Sequence, residues 1–445
     1  MTAIRTYIAI FYCLALATAC ATLPPKSQTA TPAAAPTQVQ AQQSQPSPPP
    51  AALITPTTDN IPLAAKSIGI ILPLSGPYKN YGLRALAALQ IGFGLPTITP
   101  DPAPITVQQG DTLSLIIGDS QGKAELAIQL VDLLATKYHV LAMLGDILSD
   151  TGLAVARKAE ALQIPNISFA RSPGIAETGP YSFHFGLTPQ KQARVLVQHA
   201  MRDLSLKRFG VLYPKHRPGM EMMHAFVEEV KQQGGTVTSL ESYESNETTF
   251  TEHAKRLLGK SALPNVPFEG LLIPDFPKTV SYIIPALVAA NILVSHDQRI
   301  GNIYRRTTGW FGAEPIYLLG PSSWHSNLLG ERLGSQMDGA FFAGGVDFSA
   351  SDPVTTQFRT NFDAAQHAEP TLMEAQCFDI AMLVKSMVQA KKGKFSRTSF
   401  RDQLAETQGF QGISGPISFD KDGDSLTPPH LFMFEDGNIK PIRVY

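Results

Sequence analysis

KSIGIILPLSGPYKNYGLRALAALQIGFG, residues 66–94, is the stretch whose reading decides the fold. Residues 68–72 form a near-continuous apolar run of strand length, the form taken by a parallel strand covered by helices on both faces. Ser75, Gly76 and Pro77 stop that run. Beyond them Leu83, Leu86, Ala87 and Ile91 recur at helical spacing, so the chain turns into a helix with one apolar face. A strand, a tight turn and a helix make the first half of a βαβ unit. The turn falls at a strand's carboxyl end, where open α/β sheets place their ligands.

Working outward, the same grammar repeats. Residues 98–108 read as a Pro-rich connection and 113–117 as the next strand. Asp119 and Ser120 then stand where they would cap a helix whose face is Leu126, Ala127, Leu130, Val131 and Leu134. Residues 140–144 are strand again, followed by the turn at 145–150. A helix through Leu153, Ala156 and Ala159 leads to a strand at 164–168 and the loop FARSPGIAETGP, 169–180. A second α/β half starts at TPQKQARVLVQHAMRDL (188–204) and RFGVLYP (208–214) and continues through FEGLLIPDF (268–276). Further strands fall at 315–320 and 337–342, then a helix at 372–389 and a terminal hairpin. Such alternation argues for parallel sheets with right-handed crossovers.

The 445 residues suffice for two or three domains with sizeable cores. A formal net charge of -1 with 16% charged residues gives no electrostatic footprint for nucleic acid. Of the 3 cysteines, Cys13 and Cys20 lie in the first segment, so Cys377 has no partner for a disulfide within the body and reads as a small buried hydrophobe. No complete GxGxxG, GxSxG, HExxH or P-loop pattern occurs, and the 10 histidines form no ligand cluster. Asp420, Asp422 and Asp424 lack the register of a calcium loop and read as a hairpin turn on Asp422 and Gly423. No catalytic constellation, metal or cofactor is expected.

Residues 1–19 carry Arg5 and an apolar run over 8–19, right for a signal peptide and too short for a durable membrane span. LATAC, 16–20, resembles the lipobox of bacterial lipoproteins, with Cys20 the lipidated residue and Leu16 one place further from it than is usual. Residues 21–62 shift to Pro, Ala, Gln, Thr and Ser, a composition expected to stay a disordered tether.

ILPLSGPYKNYG, GDSQGKAELAIQLVDLLA, IPNISFARSPGIAETGPYSFHFGLTP, KRFGVLYP and GPISFDKDGD, in this order, resemble type I periplasmic binding proteins of the leucine-binding-protein-like group. GPYSFHFGLTPQKQARVLVQHAMRDLSLKRFGVLYP and LLIPDFPKTVSYIIPAL are similar to penicillin-binding-protein activator lipoproteins. The resemblance implies two doubly wound parallel-sheet lobes joined by three crossings, one lobe at 66–187 plus 320–414 and the other at 188–319 plus 415–445. It also implies a ligand-binding cleft between them. Carried over from amino-acid-binding members, Ser149 and Ser172, with Ala170 beside the second, fall where a ligand carboxylate is held; read from the residues alone, both serines cap helices. Tyr81 falls where an aromatic ring covers the ligand, and Ser75 lies on the same lip. The acid that holds the ligand's ammonium is replaced by Lys278, and a second aromatic wall by Pro218. A lysine repels an ammonium, Arg171 adds positive charge, and only Asp275 nearby could substitute. An anionic solute, or a cleft that has lost its ligand, is therefore expected.

Two roles are implied. One is capture of a small solute for an ABC permease or a sensor. The other is an outer-membrane accessory of a peptidoglycan synthase, a penicillin-binding protein, with a vestigial cleft. The tether, and Ala21 rather than Asp after Cys20, place the protein facing the periplasm on a lipid anchor, more in keeping with the outer membrane. Residues 295–315, which carry Arg299, Tyr304, Arg305, Arg306 and Trp310, form a long connection that reads as a solvated loop or a partner-docking surface.

Overall fold

The computed structural model describes residues 66–100, 103–260, 265–344, 346–348, 352–390 and 395–442. The expected signal peptide, Cys20 and the expected tether lie outside them. The first sheet holds β1 (Ser67–Leu72), β2 (Ile105–Gln109), β3 (Ser114–Asp119), β4 (Ala142–Leu144), β5 (Asn166–Ser168) and β6 (Ser182–His184) in the order β2-β3-β1-β4-β5-β6. All neighbours run parallel except β2, which pairs antiparallel with β3 at the edge. The Pro-rich connection of the sequence reading thus carries a strand at its end.

β1 shows why the apolar run is continuous. Ile68, Ile70 and Leu72 enter a core shared with α1 (Lys79–Phe93) and, much later in the chain, α11 (Leu372–Ala390). Ile71, on the opposite face, enters a second core built by α2 (Ala124–Thr136) and α3 (Ser149–Ala161). Both faces of the strand are therefore dry. Gly82 lets α1 close on its own loop, since a Cβ there would lie 2.0 Å from the Pro73 carbonyl oxygen.

The second sheet has the order β15-β14-β11-β10-β9-β7-β8, from β7 (Arg208–Pro214), β8 (Thr236–Tyr243), β9 (Gly270–Leu272), β10 (Tyr317–Gly320), β11 (Phe341–Gly344), β14 (His430–Glu435) and β15 (Asn438–Ile442). Its helices are α4 (Pro189–Gln198), α5 (Arg217–Gln232), α6 (Thr251–Leu258), α7 (Pro277–Ala289), α8 (Gln298–Thr308) and α9 (Asn327–Leu333). Without their antiparallel edge strands, the two sheets share one winding. β3-β1-β4-β5-β6 and β8-β7-β9-β10-β11 follow the same order, and each has its switch point beside its first strand, at β1/β4 and β7/β9.

The lobe boundaries differ from those of the sequence reading. β10 and β11 pair in the second sheet through Leu319↔Phe341, so the chain returns to the first lobe after Gly344 rather than at 320. α10 (Pro353–Gln366), α11, α12 (Arg397–Ala405) and the hairpin β12 (Phe410–Gly412)–β13 (Gly415–Ile417) follow. Ile417 and Phe419 are buried in the first lobe's core and Ser425 donates its N–H to the His184 carbonyl, so the last crossing lies near 426–429 rather than at 415. The Asp420–Asp424 turn closes by N–H bonds between those two residues, with Gly423 at φ +88°. Among the described residues no cluster of acidic, His or Cys side chains fits a metal ion. Cys377 is fully buried, and burial raises its thiol pKa.

Residues 295–315 are not a loop. α8 fills most of them, tied down by Tyr304 Oη to the Asn291 carbonyl (2.7 Å) and Arg305 Nε to the Ala313 carbonyl (3.0 Å).

Candidate functional site: the interlobe cleft

The loops after β1, β3, β4 and β5 converge on one edge. Asp119, at the end of β3, does not cap α2, whose N-cap is Lys123. Its carboxylate instead accepts from Leu74 N (2.8 Å), Ser75 N (3.2 Å) and Ser75 Oγ (2.6 Å), setting the shape of the loop after β1. Ser75 is thus engaged within its own lobe. A Cβ on Gly122 would lie 2.9 Å from the Tyr78 ring and 3.2 Å from a Leu148 methyl, so three loops meet there. Tyr78 and Tyr81 are both exposed on this lip.

Ser149 is the first residue of α3, preceded by Leu148 in the N-cap position with no side-chain cap, so the serine caps nothing. Uncapped first-turn amides are orphan donors suited to an anion. Ala170 and Ser172 are buried in the neighbouring loop, and the Ala170 carbonyl accepts from His184 Nε2 at 2.7 Å. Gly152 allows α3 to approach that loop, where a Cβ would lie 2.8 Å from the Ala170 methyl. The structure therefore brings Ser149, Ala170 and Ser172 to one edge. Beneath them Asp146 is fully buried and accepts from Ser120 Oγ (3.0 Å), Leu148 N (3.2 Å) and Ile147 N. Burial raises its pKa to about 6 against the lowering effect of those bonds.

Across the cleft, Asp275 follows β9. Its carboxylate accepts from Tyr243 Oη (2.8 Å) and Phe276 N (2.7 Å), and His216 Nε2 lies 3.5 Å away. Burial, then the charge of Asp275, raises the Tyr243 pKa. His216 Nδ1 accepts from Gly219 N at 3.0 Å, so the same ring caps α5. Asp275 is buried and committed to its own lobe, which removes it as a substitute partner for a ligand ammonium. Lys278 is exposed in the first turn of α7, and Pro218 is exposed at the start of α5. Phe276, in the same stretch, is 58% exposed, with the His216 ring 6.2 Å from it. Arg217 Nη1 to Asp150 Oδ1 and Arg171 Nη2 to Ser322 Oγ, both 3.4 Å, span the lobes at the cleft, and Lys191 Nζ of α4 reaches Asp424 Oδ1 of the first lobe at 2.8 Å near the crossings.

Sequence reasoning missed Asp119 as organiser of the lip, the buried Asp146 and His184, and the cross-cleft pair Arg217–Asp150. Only Asp119 carried a local signal, an Asp-Ser at a strand end, and that signal pointed to a cap.

Two lobes with matched switch points facing one another across a polar cleft define a two-lobed α/β solute-binding protein. The family model described as periplasmic binding protein matches residues 66–434, and the chain belongs to this family. Solved structures with the same fold include a leucine-binding protein from Thermotoga maritima, at 20% identity and a TM-score of 0.59, covering 85% of this chain and 98% of that one. A putative branched-chain amino acid ABC transporter protein from Rhodospirillum rubrum matches at 19% identity and a TM-score of 0.67, covering 85% and 100%. A solute-binding protein of an ABC transporter from Rhodopseudomonas palustris, in complex with 3,4-dihydroxybenzoic acid, matches at 17% identity and a TM-score of 0.59, covering 85% and 95%.

Proposed function

We propose that the protein is a non-catalytic binding protein that captures a small carboxylate lacking an α-ammonium group between its lobes, for transport or sensing. The observation that carries this reading is the charge of the cleft edge. Arg171, Arg217 and Lys278 are exposed there, and the acid of the second lobe, Asp275, is buried against Tyr243. A carboxylate gains charge-assisted bonds from the Ser149 and Ser172 hydroxyls, the first-turn amides of α3 and Arg171. Among the described residues, the acid beside Lys278, Asp275, is already engaged by Tyr243 Oη and Phe276 N. Phe276 and Tyr81 offer faces for an apolar or aromatic body, in line with the dihydroxybenzoate bound by the Rhodopseudomonas palustris protein. Isothermal titration of the full chain with 3,4-dihydroxybenzoate, a dicarboxylate, glutamate and leucine tests it. Binding of the acids without an ammonium supports the reading, and tight leucine binding overturns it.

The first 62 residues favour a second reading of the role. LATAC and the Pro-rich tether support a lipid anchor at Cys20, and Ala21 favours the outer membrane, the setting of an accessory to a peptidoglycan synthase. Membrane fractionation separates the roles. Inner-membrane residence fits delivery to a permease; outer-membrane residence, lost in Cys20→Ala, fits the accessory.

A further inference from the structure

The first-lobe edge of the cleft is built over an acid without a countercharge. Asp146 is fully buried, and the groups that act on its carboxyl, from the loop after β3, from its own loop and from α3, are hydroxyls and amides: Ser120 Oγ at 3.0 Å, Ile147 N, Leu148 N at 3.2 Å and the Thr151 hydroxyl. Among the described residues no cation pairs with it. Asp119, the residue before Ser120, turns its own carboxylate to Leu74 N and Ser75. The loop after β5 is tied in through the backbone, since Ser168 Oγ donates to the Asp146 carbonyl at 3.2 Å and accepts from Ala170 N at 3.3 Å. Asp146 is thus joined to the loop that carries Ala170 and Ser172.

A ligand carboxylate at this edge would face a like charge. Asp146 Oδ1 is 3.2 Å from Leu148 N, and Ser149, the next residue, opens the uncapped first turn of α3. A ligand oxygen bound to the Ser149 amide lies within roughly 10 Å of Oδ1, from the spacing of successive residues and the length of a hydrogen bond. At that separation an ionised Asp146 repels the ligand and also offsets the positive end of α3. A neutral Asp146 does neither. The surroundings hold either form. Ser120 Oγ carries one hydrogen and two lone pairs, and one lone pair accepts from Gly122 N at 3.3 Å, so the hydroxyl can donate to the carboxylate or accept from the carboxylic acid. Burial without a countercharge favours the acid, in keeping with a pKa raised to about 6.

We infer that the protein captures its carboxylate ligand together with a proton held on Asp146, so that this acid makes the cleft's affinity for an anion depend on pH. The proton comes from solvent, binds Asp146 Oδ2 and is donated to Ser120 Oγ; no other bond is made or broken. This regulation rests on the carboxylate reading of the cleft. Its sign follows from linkage. The ligand favours protonated Asp146, so affinity is highest where the acid is already neutral, falls as pH rises through the folded pKa, and levels off once Asp146 is ionised in the complex too. A neutral ligand of the same shape meets no such repulsion. Two histidines border the network, His184 on the Ala170 carbonyl and His216 beside Asp275 across the cleft, and the test separates them from Asp146.

The test is isothermal titration of the full chain with 3,4-dihydroxybenzoate, and with 3,4-dihydroxybenzamide as its neutral counterpart, from about pH 5.5 to about pH 8 in two buffers of different ionisation enthalpy. The acid is expected to bind about tenfold more weakly at the upper pH, and at intermediate pH its measured heat should differ between the buffers through proton uptake. The amide should show neither effect. Asp146→Asn should bind the acid equally at both ends of the range and take up no proton. In the wild type, the carbon-13 resonance of the Asp146 carboxyl should titrate at higher pH with the acid bound than without it, a readout independent of how the variant folds. Proton uptake that persists in a folded Asp146→Asn passes the linkage to His184 or His216 and overturns the inference. Binding of the acid with no proton uptake and no pH dependence also overturns it and leaves the carboxylate reading standing, whereas no binding of the acid or of a dicarboxylate at either pH overturns both.

Discussion

Arg217 on α5 and Asp150 on α3 face one another at 3.4 Å across the cleft, each at the first turn of its helix and each on a different lobe. With Arg171–Ser322 this makes two polar contacts that exist only while the lobes are together. Both are solvent-exposed, so each is weak and screened by salt. Arg171→Ala combined with Arg217→Ala should therefore shift the population toward an open form and leave the fold unchanged. Small-angle scattering at low salt should show a larger radius of gyration for the variant, and the difference should shrink at high salt. An identical radius in low salt would remove these contacts from the account of closure.

The fold was legible because its cues are local and periodic. The apolar run of β1, the Ser-Gly-Pro stop and the α1 face could each be read from a few neighbouring residues, and the same cues recur in both lobes. The lobe boundaries were less so. β10 and β11 are as apolar as the strands of the first lobe, and nothing in Leu318, Phe341 or Phe342 says which sheet they join. The pairing of β10 with β9 through Leu318↔Leu271 decides it, and β11 follows through Leu319↔Phe341. The shared edge of Ser149, Ala170 and Ser172 was legible, because each lies just beyond the end of a strand. Asp119 was misread because a strand-end aspartate that caps a following helix and one that ties a neighbouring loop look alike in sequence. Asp146 gave no signal at all, since its role depends on burial under residues 26 positions away.

Lys278 makes the cleft's preference testable by charge reversal. It is exposed in the first turn of α7, next to Phe276, and bears the charge opposite to that needed by an ammonium. Lys278→Glu should raise affinity for leucine relative to its analogue without the amino group, 4-methylpentanoate, by about tenfold. Competition titrations with the two ligands measure that ratio. No change in the ratio would place Lys278 outside the contact shell of the ligand.

Asp146 predicts a pH effect of definite sign. Its folded pKa is raised to about 6 by burial, against about 3.9 for an unperturbed aspartate. Below the lower value the carboxyl is protonated in both states and carries no penalty. As pH rises toward 6 the unfolded chain loses its proton first, so stability falls, by roughly 3 kcal/mol at most once both states are ionised. Asn at this position keeps the oxygen that accepts from Leu148 N and presents an N–H to Ser120 Oγ. Asp146→Asn should then leave the melting temperature unchanged near pH 4 and raise it at pH 8. A variant that loses more stability at pH 8 than at pH 4 would contradict the sign.

Arg84 and Glu374 join α1 to α11 across the first lobe's core. Arg84 Nε lies 2.6 Å from Glu374 Oε1, its Nη2 donates to the Glu369 carbonyl at 2.8 Å, and its guanidinium lies 5.0 Å from the centre of the Phe362 ring. The Glu374 side chain is only 1% exposed, and its other oxygen accepts from Thr371 N at 2.7 Å. Removing the arginine leaves a buried carboxylate with its countercharge gone, a change that costs about 3–5 kcal/mol where such pairs have been broken. Replacing both partners by apolar groups removes the charge as well as the attraction, and the loss should be far smaller. Arg84→Met should thus lower the first lobe's stability strongly, and Arg84→Met with Glu374→Leu should recover most of it. Denaturant unfolding of the wild type, the two single variants and the double variant gives the coupling directly. A loss in Arg84→Met below about 1 kcal/mol would mean that the pair behaves as an exposed one and that water reaches Glu374 between the two helices.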